Sequence, residues 1–105
     1  MNTLLTTTAQ ILEKEAMTIL PTSFASLCQE EAKKELLKSL TIRVLELMRD
    51  DFDELVNILY KVDVPEEKAK EAFLQKSDIL IAEKLAYALY ERTLQKVLYR
   101  QQFSK

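Results

Sequence analysis

The sequence predicts an all-α fold, an antiparallel bundle of four to five helices with a long C-terminal one, and three observations carry that expectation. None of the 105 residues is glycine, so the positive-φ positions of tight hairpins and phosphate loops lack their usual residue. Leu, Glu, Lys and Ala dominate the composition, and all four are good helix formers. Apolar residues then recur at spacings of three and four in one stretch after another, the period of one helix face. A chain of this length suits one domain around one core.

In the first element Leu5, Ala9, Leu12, Ala16 and Ile19 share a face, and Pro21 should end it, because the residue before a proline is pushed out of the α region. A second pattern begins at Ser23 and runs through Phe24, Cys28, Ala32, Leu36, Leu40, Val44 and Leu47. It predicts one long helix, with a kink near Ser39 or Thr41. The third element opens in "MRDDFDELVNILY". Its residues Phe52, Leu55, Val56, Ile58, Leu59, Tyr60 and Val62 fall on one arc, and Asp53, Glu54, Asn57 and Lys61 on the other. Pro65 suits a first helical position, with Glu66 and Glu67 in the first turn, and a short helix to about Gln75 follows. Ser77 or Asp78 should cap the last helix, which runs to about Phe103. Ten of the twelve residues from 79 to 90 are apolar, so this helix is expected to be covered on more than one side.

The acids Asp50, Asp51, Asp53 and Glu54 raise the question of a metal or acid-base site. A helix N-terminus favours such acids through its free N–H groups and dipole, so Asp50 or Asp51 is expected to be a cap. A calcium loop would need a glycine turn, and a carboxylate-histidine site would need a histidine; the chain has neither. No metal and no cofactor are therefore expected. The lack of glycine also removes Walker and dinucleotide loops. Histidine-assisted nucleophiles are excluded. Cys28, the only cysteine, cannot form an intrachain disulfide and reads as a small buried hydrophobe. Glu30 and Glu31 diverge by about 100° on a helix and do not face one bond.

The N-terminal stretch lacks a basic leader, and the apolar window of residues 79 to 90 is too short to cross a bilayer. The expectation is a cytoplasmic protein without membrane attachment. Charge is uneven: residues 79 to 105 hold five basic and two acidic side chains, and residues 30 to 54 hold five and eight. A basic last helix could touch phosphates through Lys84, Arg92, Lys96 and Arg100. The helix opens with Ile79, Leu80 and Ile81, however, which cannot read base edges, and the net charge is −2 with a pI near 5.2. Nucleic acid is the weaker partner.

"DDFDELVNILYKVDVPEEKAKEAF" followed by "EKLAYALYERTLQKVLYR" resembles a family of small all-helical bacterial proteins with no assigned activity, over roughly residues 44 to 100. The resemblance implies a stand-alone intracellular helical domain and nothing about substrate. The expected function is that of a non-enzymatic interaction protein, a homodimer or the binder of a helical protein partner. Aromatic and aliphatic residues on the last helix are the candidate interface: Leu80, Tyr87, Tyr90, Leu94, Leu98, Tyr99 and Phe103. The alternative is a small nucleic-acid-associated regulator using the basic C-terminal helix.

Overall fold

A computed structural model describes residues 3–16 and 29–103, with side chains described over 5–15 and 30–100. The described residues form five helices and no strand: α1 (Thr3–Ala16), α2 (Gln29–Asp50), α3 (Phe52–Val62), α4 (Glu66–Phe73) and α5 (Asp78–Phe103). The expected helix end at Pro21, the helix start at Ser23, and the placements of Ile19, Phe24 and Cys28 lie outside the described residues.

The three connections after α2 follow from local chemistry. One residue separates α2 from α3. Asp51 N–H donates to the Leu47 carbonyl at 2.8 Å, ending α2, while its carboxylate accepts from the Glu54 N–H at 3.2 Å and opens α3. Asp51 is thus the cap. Asp50 instead meets Arg49 through two side-chain hydrogen bonds of 3.0 and 3.1 Å, and that guanidinium holds the Asp50 carboxyl below the usual carboxylate range. At the far end of α3, Asp63 adopts the left-handed conformation, φ 66° and ψ 48°. The Val64 N–H donates to Leu59 O and the Asp63 N–H to Tyr60 O, the two bonds of a Schellman motif. A glycine would normally stand there, and aspartate is one of the few other residues that tolerates the conformation.

Pro65 is the N-cap of α4 rather than its first helical residue, and α4 ends at Phe73, two residues before the expected end at Gln75. Ser77 opens α5 by accepting from the Leu80 N–H at 3.3 Å. α2 runs through Ser39 and Thr41 as one helix. The Thr41 hydroxyl donates back to the Leu37 carbonyl at 2.8 Å, so the side chain is satisfied within the helix.

α5 organises the bundle. Its 26 residues span about 39 Å at 1.5 Å per residue, matching the longest 39 Å dimension of the molecule. It touches each of the other four helices, α2 most extensively. Lys33, early in α2, lies over the rings of Tyr87 and Tyr90, while Ile42 and Leu45, late in α2, share a groove with Ile79 at the start of α5. The two helices are therefore antiparallel. α4 also runs against α5: Lys68 pairs with Glu91, and Ala72 shares a groove with Leu80. The core gathers Leu5, Ala9 and Leu12 from α1 with Leu36, Leu40, Val44 and Leu47 from α2. Leu55, Ile58, Leu59 and Val62 from α3 and Ala82, Leu85, Ala86 and Leu89 from α5 complete it.

Candidate interaction surface

The apolar residues of α5 divide into two populations. Ala82, Leu85, Ala86, Leu89 and Val97 are buried under the neighbouring helices. Leu80, Tyr87 and Leu98 are 42%, 47% and 47% exposed. These three positions, with Leu94, lie on one stripe at 100° per residue.

The expected interface residues do not all lie on that stripe. Tyr90 is a core residue, only 7% exposed. Its ring tilts against Tyr87 at 6.1 Å between centroids, with the Lys33 ammonium 5.6 Å away. Burial pushes its phenol pKa up, with a smaller contribution from Tyr87. Tyr90 turns inward because it sits about 80° around the helix from Leu80 and Leu98, on the side packed by α2. Leu94 is half-buried against the core. Tyr99 is exposed but stands about 100° from Leu98, off the stripe. The side chain of Phe103 lies outside the described residues.

Tyr87 forms a ridge between two grooves. The α2/α5 groove, about 440 Å³, is lined mainly by Leu37, Ile42, Leu45, Ile79 and Tyr87, with Lys38 and Glu83 at its rim. The α4/α5 groove, about 330 Å³, is lined by Leu80, Ala72, Ala88 and Tyr87, with Lys68, Lys84, Glu71, Glu83 and Glu91 around it. The two grooves together therefore hold three lysines and three glutamates.

The four suggested phosphate contacts do not form one site. Lys84 belongs to the α4/α5 groove. Arg92 is engaged by Asp63, just past α3: its Nε donates to the Asp63 carbonyl at 3.0 Å and its Nη2 to the Asp63 carboxylate at 3.1 Å, while its Nη1 donates to Gln95. It fastens the left-handed corner after α3 to α5. Lys96 and Arg100 instead line a recess with Lys14 of α1 and Lys61 of α3. Helical spacing within α5 could not reveal those two lysines, because the recess depends on how three helices meet.

A second exposed apolar stripe was also missed. Phe52, Val56 and Tyr60 belong to the arc expected to face the core, yet they are exposed while Leu55, Ile58, Leu59 and Val62 are buried. Seven apolar positions make an arc wider than the neighbouring helices cover, and its shoulder at i, i+4 and i+8 is left outside. Phe52 is partly covered by the ring of Phe73, 5.7 Å away.

Among the described residues, no group of three or more His, Cys, Asp or Glu side chains is placed to hold a metal ion. No described helix is long and apolar enough to cross a membrane. Comparison with protein-family models, curated proteins and solved structures finds no match.

Proposed function

We propose that this chain is a non-enzymatic interaction protein that self-associates through the exposed face of α5 around Leu80 and Tyr87. The observation that carries the reading is Tyr87, an aromatic ridge between two grooves with apolar walls. A two-fold partner can seat its own ridge in such a groove while offering a groove in return, the reciprocal arrangement of an isologous interface. Charge supports the same reading. A rim with equal numbers of lysines and glutamates can meet its own copy without net repulsion, with orientation set by pairing opposite signs. Leu80, Tyr87 and Leu94 also recur every seven residues, the repeat of a helix-helix seam.

Sedimentation equilibrium tests this reading. A homodimer is expected at micromolar concentration, near −8 kcal/mol of association on the order-of-magnitude scale, and Tyr87→Glu should dissociate it while circular dichroism stays helical. A wild-type chain that remains monomeric up to about 100 μM contradicts the proposal.

The alternative, a nucleic-acid-associated regulator, draws its support from Lys96 and Arg100, which share two neighbouring recesses. Lys84 on another face and Arg92 bonded to Asp63 weaken it. Retention of DNA or RNA that falls steeply with salt and is lost on neutralising Lys96 and Arg100 would favour it.

A further inference from the structure

We propose that the recess between α1, α3 and α5 binds a small phosphate-bearing anion, either free phosphate or a phosphomonoester. Lys14, Lys61, Lys96 and Arg100 line it against one carboxylate, Glu15. None of these four cations is ion-paired to another described residue. The site lies away from Tyr87 and is independent of the self-association reading.

Part of this charge answers the helix ends. Lys14, Lys61 and Arg100 stand in the last turns of α1, α3 and α5, where each helix terminus carries about half a negative charge. Three termini therefore amount to roughly −1.5. Glu15 adds one more negative charge, and the four cations still exceed the sum. Lys96, which is not in a last turn, supplies charge that dipole compensation does not require. A positive surplus in a recess, rather than along an open stripe, favours one compact dianion over the spaced phosphates of a duplex.

Size and lining agree. The recess holds about 330 Å³, at the small end of ligand pockets, and Ile11 and Val62 add an apolar wall for the body of an ester. Thr93 supplies an independent observation. It lines the recess and is only 2% exposed, and its hydroxyl is the one buried side-chain polar atom without a hydrogen-bond partner among the described residues. Buried hydroxyls are ordinarily bonded, so one left unpaired beside a cationic recess points to a missing acceptor. A phosphate oxygen bound against Thr93 would provide it, with the ammonium and guanidinium groups adding charge-assisted bonds.

Calorimetric titration of the full chain with inorganic phosphate, and separately with glycerol phosphate, at about 0.15 M salt tests the site. Saturable binding with a dissociation constant at or below about 1 mM is expected for at least one probe. Comparable binding of both identifies the free anion as sufficient, and tighter binding of the ester identifies a phosphomonoester. The double change Lys96→Gln with Arg100→Gln should weaken binding about tenfold or more, whereas Lys84→Gln, on the other face, should leave it unchanged. Thr93→Val should hold or raise the Tm of the free protein and still weaken binding. Undiminished affinity in Thr93→Val overturns the proposal, as does the absence of saturable heat up to about 10 mM of either probe. An equal response to sodium chloride at matched ionic strength overturns it too, and so does an oligonucleotide that binds through the same cations more tightly than either phosphate.

Discussion

α3 and α5 both carry more apolar surface than a solvent-facing helix needs, but they use it differently. α3 buries Leu55, Ile58, Leu59 and Val62 on one face and leaves Phe52, Val56 and Tyr60 on its shoulder. α5 is packed by all four other helices, so most of its circumference is core. A helix with poor amphipathic contrast can therefore be explained largely inside its own chain, by the number of its neighbours. Only the residue left after that intramolecular burial informs on partners. On α5 it is a seam of Leu80, Tyr87 and Leu98, with Tyr87 shared by two grooves; on α3 it is a drifting shoulder whose first ring already meets Phe73.

The largest expected effect contrasts the hub with the shoulder. Leu85→Ala, fully buried in α5, should cost about 2–5 kcal/mol in denaturant unfolding. Val56→Ala, on the exposed shoulder of α3, should stay within about 0.5 kcal/mol. Similar losses at the two positions would break the distinction between them.

A smaller effect concerns how α3 begins. Asp51→Ala should cost about 0.5–2 kcal/mol, because it removes the side-chain acceptor of the Glu54 N–H. Asp50→Ala loses only an exposed pair with Arg49, and exposed ion pairs contribute little. Thermal unfolding of the two variants should rank them in that order, and the reverse order would move the cap to Asp50.

These cases show what could be read from one dimension. Helix existence and type were legible because the buried stripe Ala32, Leu36, Leu40, Val44 and Leu47 has an unambiguous period. The acids before α3 were legible as caps because the requirement is local. The inward turn of Tyr90 was not, since its place depends on where α2 crosses α5. The convergence of Lys14 and Lys61 on Lys96 was equally hidden, because it depends on the packing of three helices far apart in sequence.

The smallest effect is electrostatic and lies on the buried side of α5. Burial raises the folded-state pKa of Tyr90 above the ordinary phenol value, so the folded state holds that proton more tightly than the unfolded chain. The associated stability is fully present below about pH 10 and is lost as pH rises through the folded value. Ultraviolet titration should show a tyrosine step above the ordinary phenol range, and Tyr90→Phe should abolish that late step. A late step that persists in Tyr90→Phe would place the buried phenol elsewhere.

The comparison is tested most directly by sedimentation equilibrium on three chains: wild type, Tyr87→Glu on the seam of α5, and Tyr60→Glu on the shoulder of α3. Both tyrosines are exposed, so neither change should unfold the bundle, and each places the same charge on an apolar stripe. The account predicts a micromolar wild-type dimer, at least about tenfold weaker association in Tyr87→Glu, equivalent to about 1.4 kcal/mol, and an unchanged dimer in Tyr60→Glu. Dissociation by Tyr60→Glu with an intact Tyr87→Glu dimer would move the interface to α3 and contradict the account.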